Sequence, residues 1–183
     1  GALKKGGIVI HPTETVYGFA ANALMPAAVA KINQIKGRRS GQSYIVLVKN
    51  SEMAERCKVL FSRPARKLAA KYWPGPLTLV LPAQTNSPLF PISSDGMVGL
   101  RVSPHPAVMR LFEFIDFPII STSVNESGAP PLEKIPEITR RFGGEVEVIL
   151  DGGILPAARP STIAKIVKSK ISVLRQGALV PAS

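Results

Sequence analysis

The sequence predicts an α+β domain with α/β-type layering, in which one mixed sheet is covered by helices. Three observations predict it. Apolar runs of strand length alternate with stretches of helical period along the chain. Several neighbouring strand-like runs, the last two above all, are joined by links too short for a helical crossover, so the sheet is not purely parallel. The 17 prolines cluster at strand ends, where they disturb no ladder bond and where binding loops tend to sit.

The elements follow in order, about eight strands and five helices. Gly7-Ile8-Val9-Ile10 reads as a buried strand ending at His11-Pro12. Residues 27–35 carry Val29, Ile32 and Ile35 at helical spacing behind Pro26, a good first-turn residue. Tyr44 to Val48 is a continuous apolar strand, and Ser51 to Cys57 and Arg63 to Tyr72 are helical. Leu77 to Leu81 and Val98 to Val102 are strands, then Pro106 to Phe114 a helix. A short strand, Pro118 to Ile120, runs into Ser121, and Ile135 to Phe142 is helical. Val146 to Leu150, Ser161 to Val167 and Ile171 to Leu174 finish the chain as strands.

A length of 183 residues suits a single domain, 1–183, and 45% hydrophobic residues suffice for a core without staples. The single cysteine, Cys57, has no internal partner, so a reducing, cytoplasmic setting is expected. No apolar run approaches the roughly 20 residues of a membrane-spanning helix, and the chain is expected to start as a trimmed domain without a leader. The net charge of +11, from 23 Lys and Arg against 12 Asp and Glu, favours anionic partners: nucleotides, phosphates or RNA. It equally fits a well-solvated surface, since no Lys/Arg block with interleaved aromatics occurs.

Four groups of polar residues lie just beyond strands. In His11-Pro12-Thr13-Glu14-Thr15-Val16-Tyr17-Gly18, two hydroxyls, a carboxylate and a phenol arrive within a few residues, either to meet a ligand or to cap a turn. Lys36-Gly37-Arg38-Arg39-Ser40 closes a helix on an expected exposed end. There the cations either complement the helix dipole or clamp a polyphosphate. Ser121-Thr122-Ser123-Val124-Asn125-Glu126-Ser127-Gly128 offers backbone N–H groups and short donors to phosphate oxygens, or is an ordinary polar turn. Arg101, Arg159 and Arg175 sit at strand ends, where an arginine pairs internally or faces a ligand; for Arg101 the internal candidate is Glu14. Two distant histidines and one cysteine give no metal-ligand spacing, and no P-loop or nucleophile elbow is present.

Taken together, Pro12-Thr13-Glu14-Thr15-Val16-Tyr17-Gly18, Lys36-Gly37-Arg38, Trp73-Pro74-Gly75-Pro76-Leu77-Thr78, Arg101-Val102 with His105-Pro106, Ser123-Val124-Asn125, Asp151-Gly152-Gly153, Pro160-Ser161-Thr162 and Leu174-Arg175-Gln176-Gly177 form an ordered set. In order and spacing the set resembles the YrdC/TsaC family over nearly the whole chain. Arg39 stands where that family more often has proline, and Val124 where it usually has alanine. The resemblance implies a twisted mixed sheet with a concave basic cleft. It further implies an L-threonylcarbamoyl-adenylate synthase that uses ATP, bicarbonate and L-threonine, with magnesium accompanying the triphosphate.

On that basis Lys36 and Arg38 are the catalytic cations. ATP is held by Lys36, Arg38, Thr122, Ser123, Asn125 and Arg175, and threonine by Thr13, Tyr17, Arg101 and Ser161; no side chain is assigned to a metal. The implied partner is the transferase complex that modifies tRNA, with direct contact to tRNA or double-stranded RNA also expected and no membrane contact. The main alternative is a non-catalytic RNA-binding module of the same fold. A related domain of hydrogenase-maturation enzymes works with carbamoyl phosphate, but the zinc-finger and acylphosphatase segments that accompany it are not found in these 183 residues.

Overall fold

A computed structural model of the protein describes residues 1–37, 44–156 and 159–179. Among them the order is β1 (Val9–His11), β2 (Gly18–Asn22), α1 (Pro26–Lys36), β3 (Ile45–Leu47), α2 (Ser51–Arg56), α3 (Arg63–Tyr72), β4 (Leu77–Pro82), β5 (Met97–Arg101), α4 (Pro106–Phe114), β6 (Ile119–Ser123), α5 (Ile135–Phe142), β7 (Val148–Ile149), β8 (Thr162–Val167) and β9 (Lys170–Arg175). Short 3-10 turns cover Ala2–Lys5 and Phe90–Ile92. The strands make one sheet in the order β7-β1-β2-β6-β3-β5-β4-β8-β9. It is mixed as expected: β1/β7, β3/β5 and β4/β8 are parallel and the other neighbours antiparallel.

Two differences from the sequence reading matter for the site. The ninth strand, β2, lies in Gly18-Phe19-Ala20-Ala21-Asn22, a stretch without β-branched residues or alternation. It is buried on both faces, which selects small residues there instead of a half-polar pattern. The second difference is that β6 runs on through Ser121-Thr122-Ser123. Ser123 pairs with Gly18, Thr122 with Phe19 and Ser121 with Ala20, while Ile45 of β3 flanks Ser121 on the other side. The flanking strands thus hold as sheet three residues that read as loop.

The helices are set by ordinary periodicities. On α5, Ile138 and Phe142 are four residues apart and both buried. The Phe142 ring meets that of Phe19 edge to face, centroids 5.1 Å apart, and so seats α5 on β2. On α1 the buried stripe is Ala28, Ile32, Lys36, with Val29 beside it. The helix ends where Gly37 takes φ 59°, a left-handed cap that leaves its N–H bonded to Asn33 and Gln34 carbonyls. Replacing Phe142 by alanine empties the seat of α5. The expected outcome is a loss of about 3–5 kcal/mol in denaturant unfolding, and a midpoint near wild type would show that this contact does not anchor the helix.

Candidate functional site

Strand alternation brings the polar groups together. The odd-numbered residues Ile45 and Leu47 of β3, Gly99 and Arg101 of β5, and Ser121 and Ser123 of β6 share one face of the sheet. Over that face opens a cavity of about 430 Å³, the size of a small-molecule site. The first loop closes one side with Thr13, Thr15 and Val16, and the start of β8 and end of β9 close the other with Ser161 and Arg175.

The first loop is shaped by Thr13. Its hydroxyl donates to the Val16 carbonyl at 2.7 Å and accepts from the Thr15 and Val16 amides at 3.2 and 3.1 Å. This is a hydroxyl-capped turn, and it delivers Glu14 to Arg101. The Glu14 carboxylate pairs with Arg101 Nη2 through Oε1 and accepts from Ser103 Oγ at 2.6 Å through Oε2. Arg101 is 5% exposed, and its Nε is buried without a hydrogen-bond partner. Burial, and then the charge of Arg175, lower its pKa to about 10, so it remains a cation at neutral pH. Arg175 is itself lowered by burial. Its Nε and Nη2 donate to the Ser161 carbonyl at 3.2 and 2.9 Å, and Ser161 Oγ lies 2.9 Å from Thr78 Oγ1. Two guanidinium groups line one cavity, and among the described residues only Arg101 is paired with a carboxylate, so together they make a site for an anion.

A second polar pair had no counterpart in the sequence reading. His11 is fully buried, its Nδ1 3.1 Å from the Pro12 carbonyl and its Nε2 3.3 Å from Ser121 Oγ. A carbonyl only accepts, so Nδ1 carries the proton, Nε2 accepts, and the Ser121 hydroxyl donates to it. The Ser121 lone pairs are thereby left for a ligand N–H or O–H. Gly18 permits this approach, because a Cβ there would lie 2.9 Å from Ser121 Oγ and 3.3 Å from His11 Nε2. The available signal was the position of His11 at a strand end directly before the first polar loop.

Lys36 is not on an exposed helix end, as the sequence reading expected. It is 4% exposed, on the inward stripe of α1. Its Nζ donates to Ser123 O at 2.5 Å and to Asn125 O and Oδ1, both at 2.8 Å, and sits 5.5 Å from the Phe19 ring centroid. Asn125 Oδ1 also accepts from Ser123 Oγ at 2.6 Å. The Lys36, Ser123 and Asn125 set is therefore a brace that fixes the end of β6 from behind, with Ser123 on the cavity wall. Tyr17 is fully buried and does not line the cavity. Its hydroxyl donates to Gly153 O at 2.7 Å and accepts from Gly152 N at 3.0 Å, which pins the Asp151-Gly152-Gly153 segment to the first loop. Thr13, Arg101, Thr122, Ser123, Ser161 and Arg175 do meet around the cavity. Arg38 and Arg39 lie outside the described residues. Val124 is fully buried behind the brace.

The Sua5/YciO/YrdC family model, described as "telomere recombination", matches residues 1–177. The chain belongs to this family. Curated Sua5/YciO/YrdC relatives named threonylcarbamoyl-AMP synthase include those of Pyrococcus abyssi (35% identical, covering 98% of this chain and 53% of the relative) and Coxiella burnetii (29%, covering 92% and 91%). Another is that of Alkalilimnicola ehrlichii (34%, covering 88% and 85%). The chain thus spans about half of the Pyrococcus protein and most of the other two. The structure of Pyrococcus abyssi Sua5 complexed with L-threonine superposes with a TM-score of 0.87 at 34% identity, over 97% of this chain and 52% of that one. Escherichia coli YciO, 23% identical with a TM-score of 0.83 over 96% of this chain and 85% of that one, shares the fold.

Two outcomes follow from this geometry. Lys36→Met would remove this donor from the Ser123 and Asn125 carbonyls, while Asn125 Oδ1 keeps Ser123 Oγ, at about 1–3 kcal/mol for each buried group left unsatisfied. We expect a clearly lowered unfolding midpoint, and unchanged stability would mean that the brace is not structural. His11 is held at a pKa of about 4 against an ordinary 6.5, chiefly by burial. Between those values the unfolded chain binds a proton that the folded chain refuses, so this contribution is fully present above pH 6.5 and is lost as the pH falls towards 4. A shift of this size amounts to about 3 kcal/mol. Urea titrations of His11→Gln should accordingly depend less steeply on pH over that window than those of the wild type; parallel curves would exclude a neutral buried His11.

Proposed function

We propose that this chain is a threonylcarbamoyl-AMP synthase. The observation that carries the proposal is a pair of guanidinium groups, the buried Arg101 and the exposed Arg175, that line one hydroxyl-bearing cavity in a Sua5/YciO/YrdC domain. The amine of L-threonine combines with bicarbonate to give N-carboxy-threonine and water. A carbamate oxygen then attacks the α-phosphorus of ATP, the α–β phosphoanhydride bond breaks, and pyrophosphate leaves.

Such a transfer needs positioning and charge neutralisation rather than a protein nucleophile, in keeping with a cavity of hydroxyls and arginines. The substrate carboxylate pairs with Arg101, whose Nε is buried and unpartnered. Thr13 and Ser161 complete the threonine pocket, and Tyr17 acts from behind by holding the loop. Thr122, Ser123 and Arg175 serve the nucleotide phosphates. Lys36 and Asn125 set the position of Ser123, and Arg38 is the second cation of the phosphate clamp. Ser121, its proton directed to His11, accepts from a ligand donor.

Among the described residues no three His, Cys, Asp or Glu side chains gather to hold a metal. Magnesium accompanying the triphosphate would be held by phosphate oxygens and water and would supply charge neutralisation there. No described helix is long and apolar enough to cross a membrane. The product passes to the cytoplasmic transferase complex that modifies tRNA.

The test is pyrophosphate release with each substrate omitted in turn: release should require ATP, threonine and bicarbonate together. Release without threonine would overturn the proposal. Threonine should be favoured strongly over valine, because a site that hydrogen-bonds a hydroxyl is left with an unpaired polar group by the isostere. Arg101→Lys keeps the charge but loses the two-pronged fork. Calorimetry should find at least a tenfold weaker threonine affinity, and an unchanged value removes Arg101 from the pocket.

A further inference from the structure

Helix α4 presents to solvent a face that is complementary to itself. Beyond its first residue, the exposed positions of Pro106–Phe114 are Met109, Arg110, Glu113 and Phe114. At about 100° per residue they span roughly 140° of the helix circumference, opposite the buried Val108 and Phe112. The two apolar members are large and uncovered, Met109 at 54% exposure and Phe114 at 62%. Phe114 also borders a groove of about 390 Å³ walled by Leu3, Leu111, Val148 and Leu150, in which Lys4 is the only charged side chain among the described residues. An apolar surface of this continuity, set among charges, marks a contact site.

The charges at the centre of the face are only loosely engaged. Arg110 Nε stands 3.6 Å from Glu113 Oε2, beyond hydrogen-bond length, and both side chains are more than half exposed. The Arg110 guanidinium lies 5.7 Å from the centroid of the Phe114 ring. Each of the two charges can therefore take a closer partner of opposite sign.

The order of the four residues selects that partner. Met109 and Phe114 are equally far from the midpoint between Leu111 and Phe112, and so are Arg110 and Glu113. A twofold axis through that midpoint, perpendicular to the helix, lays a second α4 antiparallel on the first. Met109 then meets the partner's Phe114, a sulfur on an aromatic ring, and Arg110 meets the partner's Glu113; symmetry makes each contact twice. The flexible Met109 of one copy also finds the groove beside the partner's Phe114 open to it. In a parallel pairing Arg110 would face Arg110 and Glu113 would face Glu113. An unrelated partner would have to bring this arrangement of signs and apolar groups, whereas a second copy has it by symmetry.

We infer that the outward face of α4, with the groove beside Phe114, is an isologous contact between two copies of this chain. One helix face and one groove make a small interface, so the dimer is of the weak class, with a dissociation constant on the order of 10 μM. The contact is independent of the reaction assigned to the cavity, because none of its four residues lines that cavity.

The test is sedimentation velocity from about 1 to about 100 μM, on the wild type, Arg110→Glu, Glu113→Arg, the variant carrying both changes, and Phe114→Asp. Melting temperatures verify that all are folded. The wild type should pass from monomer to dimer over this range. Each single charge reversal turns both attractive pairs repulsive and should weaken the dimer about tenfold or more. The variant with both reversals restores the pairs in swapped order and should recover wild-type association. Phe114→Asp, which removes the ring from the groove edge, should weaken it at least as much as the single reversals. The deciding measurement is an equimolar mixture of Arg110→Glu and Glu113→Arg: each supplies the sign the other lacks, so a dimer should return on mixing. The pair within one helix is broken in both variants and stays broken in the mixture, so an effect confined to the single chain gives no such recovery. A wild type that stays monomeric at the highest concentration, a mixture that does not associate, or dimers of equal strength in all variants would overturn the inference.

Discussion

A guanidinium buried at the end of β5 must find a counter-charge, and the walls of the cavity follow from that requirement. Arg101 meets Glu14, and Glu14 reaches it only because Thr13 folds the first loop into a hydroxyl-capped turn. The loop in turn keeps its place through Tyr17, whose phenol holds the Gly152-Gly153 backbone and whose carbonyl accepts from Val124 N at 2.9 Å. Val124 belongs to the turn braced by Lys36, and Ser127 N donates to the Lys36 carbonyl. A charge satisfied at one strand end is thus linked, bond by bond, to the end of α1. Removing one partner of a buried pair strands the other, which is why such chains behave as units.

The same linkage separates residues that touch the cavity from residues that hold those that do. Ser123, Ser161, Arg101 and Arg175 line it. Lys36, Asn125, Tyr17 and His11 stand behind them, each with its polar atoms engaged by protein groups. Catalytic arrangements that work by positioning depend on such a supporting layer, since a carbonyl or hydroxyl displaced by an ångström no longer meets its target.

The charge distribution follows a different logic. The cavity uses two arginines, and the effect of the buried one, Arg101, is local and strengthened by exclusion of water. Helix α3 carries exposed cations whose individual contributions are screened and whose effect arises from number and spacing. One chain therefore holds two cationic features of different physics, and the total of +11 distinguishes neither.

The sequence by itself determined the class of fold, most element positions and the family, because these rest on local signals: apolar period, proline and glycine punctuation, and short motifs in a fixed order. It also located polar segments of the cavity, the first loop and the Ser121–Ser123 stretch, since polar residues directly after strands are placed by the strand. What it left undecided is which face each side chain takes. Lys36 reads as a charged helix end, yet it falls four residues beyond Ile32 on the inward stripe, where the oxygens of the 123–125 turn help make its burial tolerable. Gly18 to Asn22 is a strand because β1 and β6 flank it, not because of its own propensities. Tyr17 and Arg101 looked equally ready to meet a ligand. Only tertiary structure committed the phenol to a glycine backbone and left the guanidinium at the cavity, because burial and partners are properties of neighbours distant in sequence.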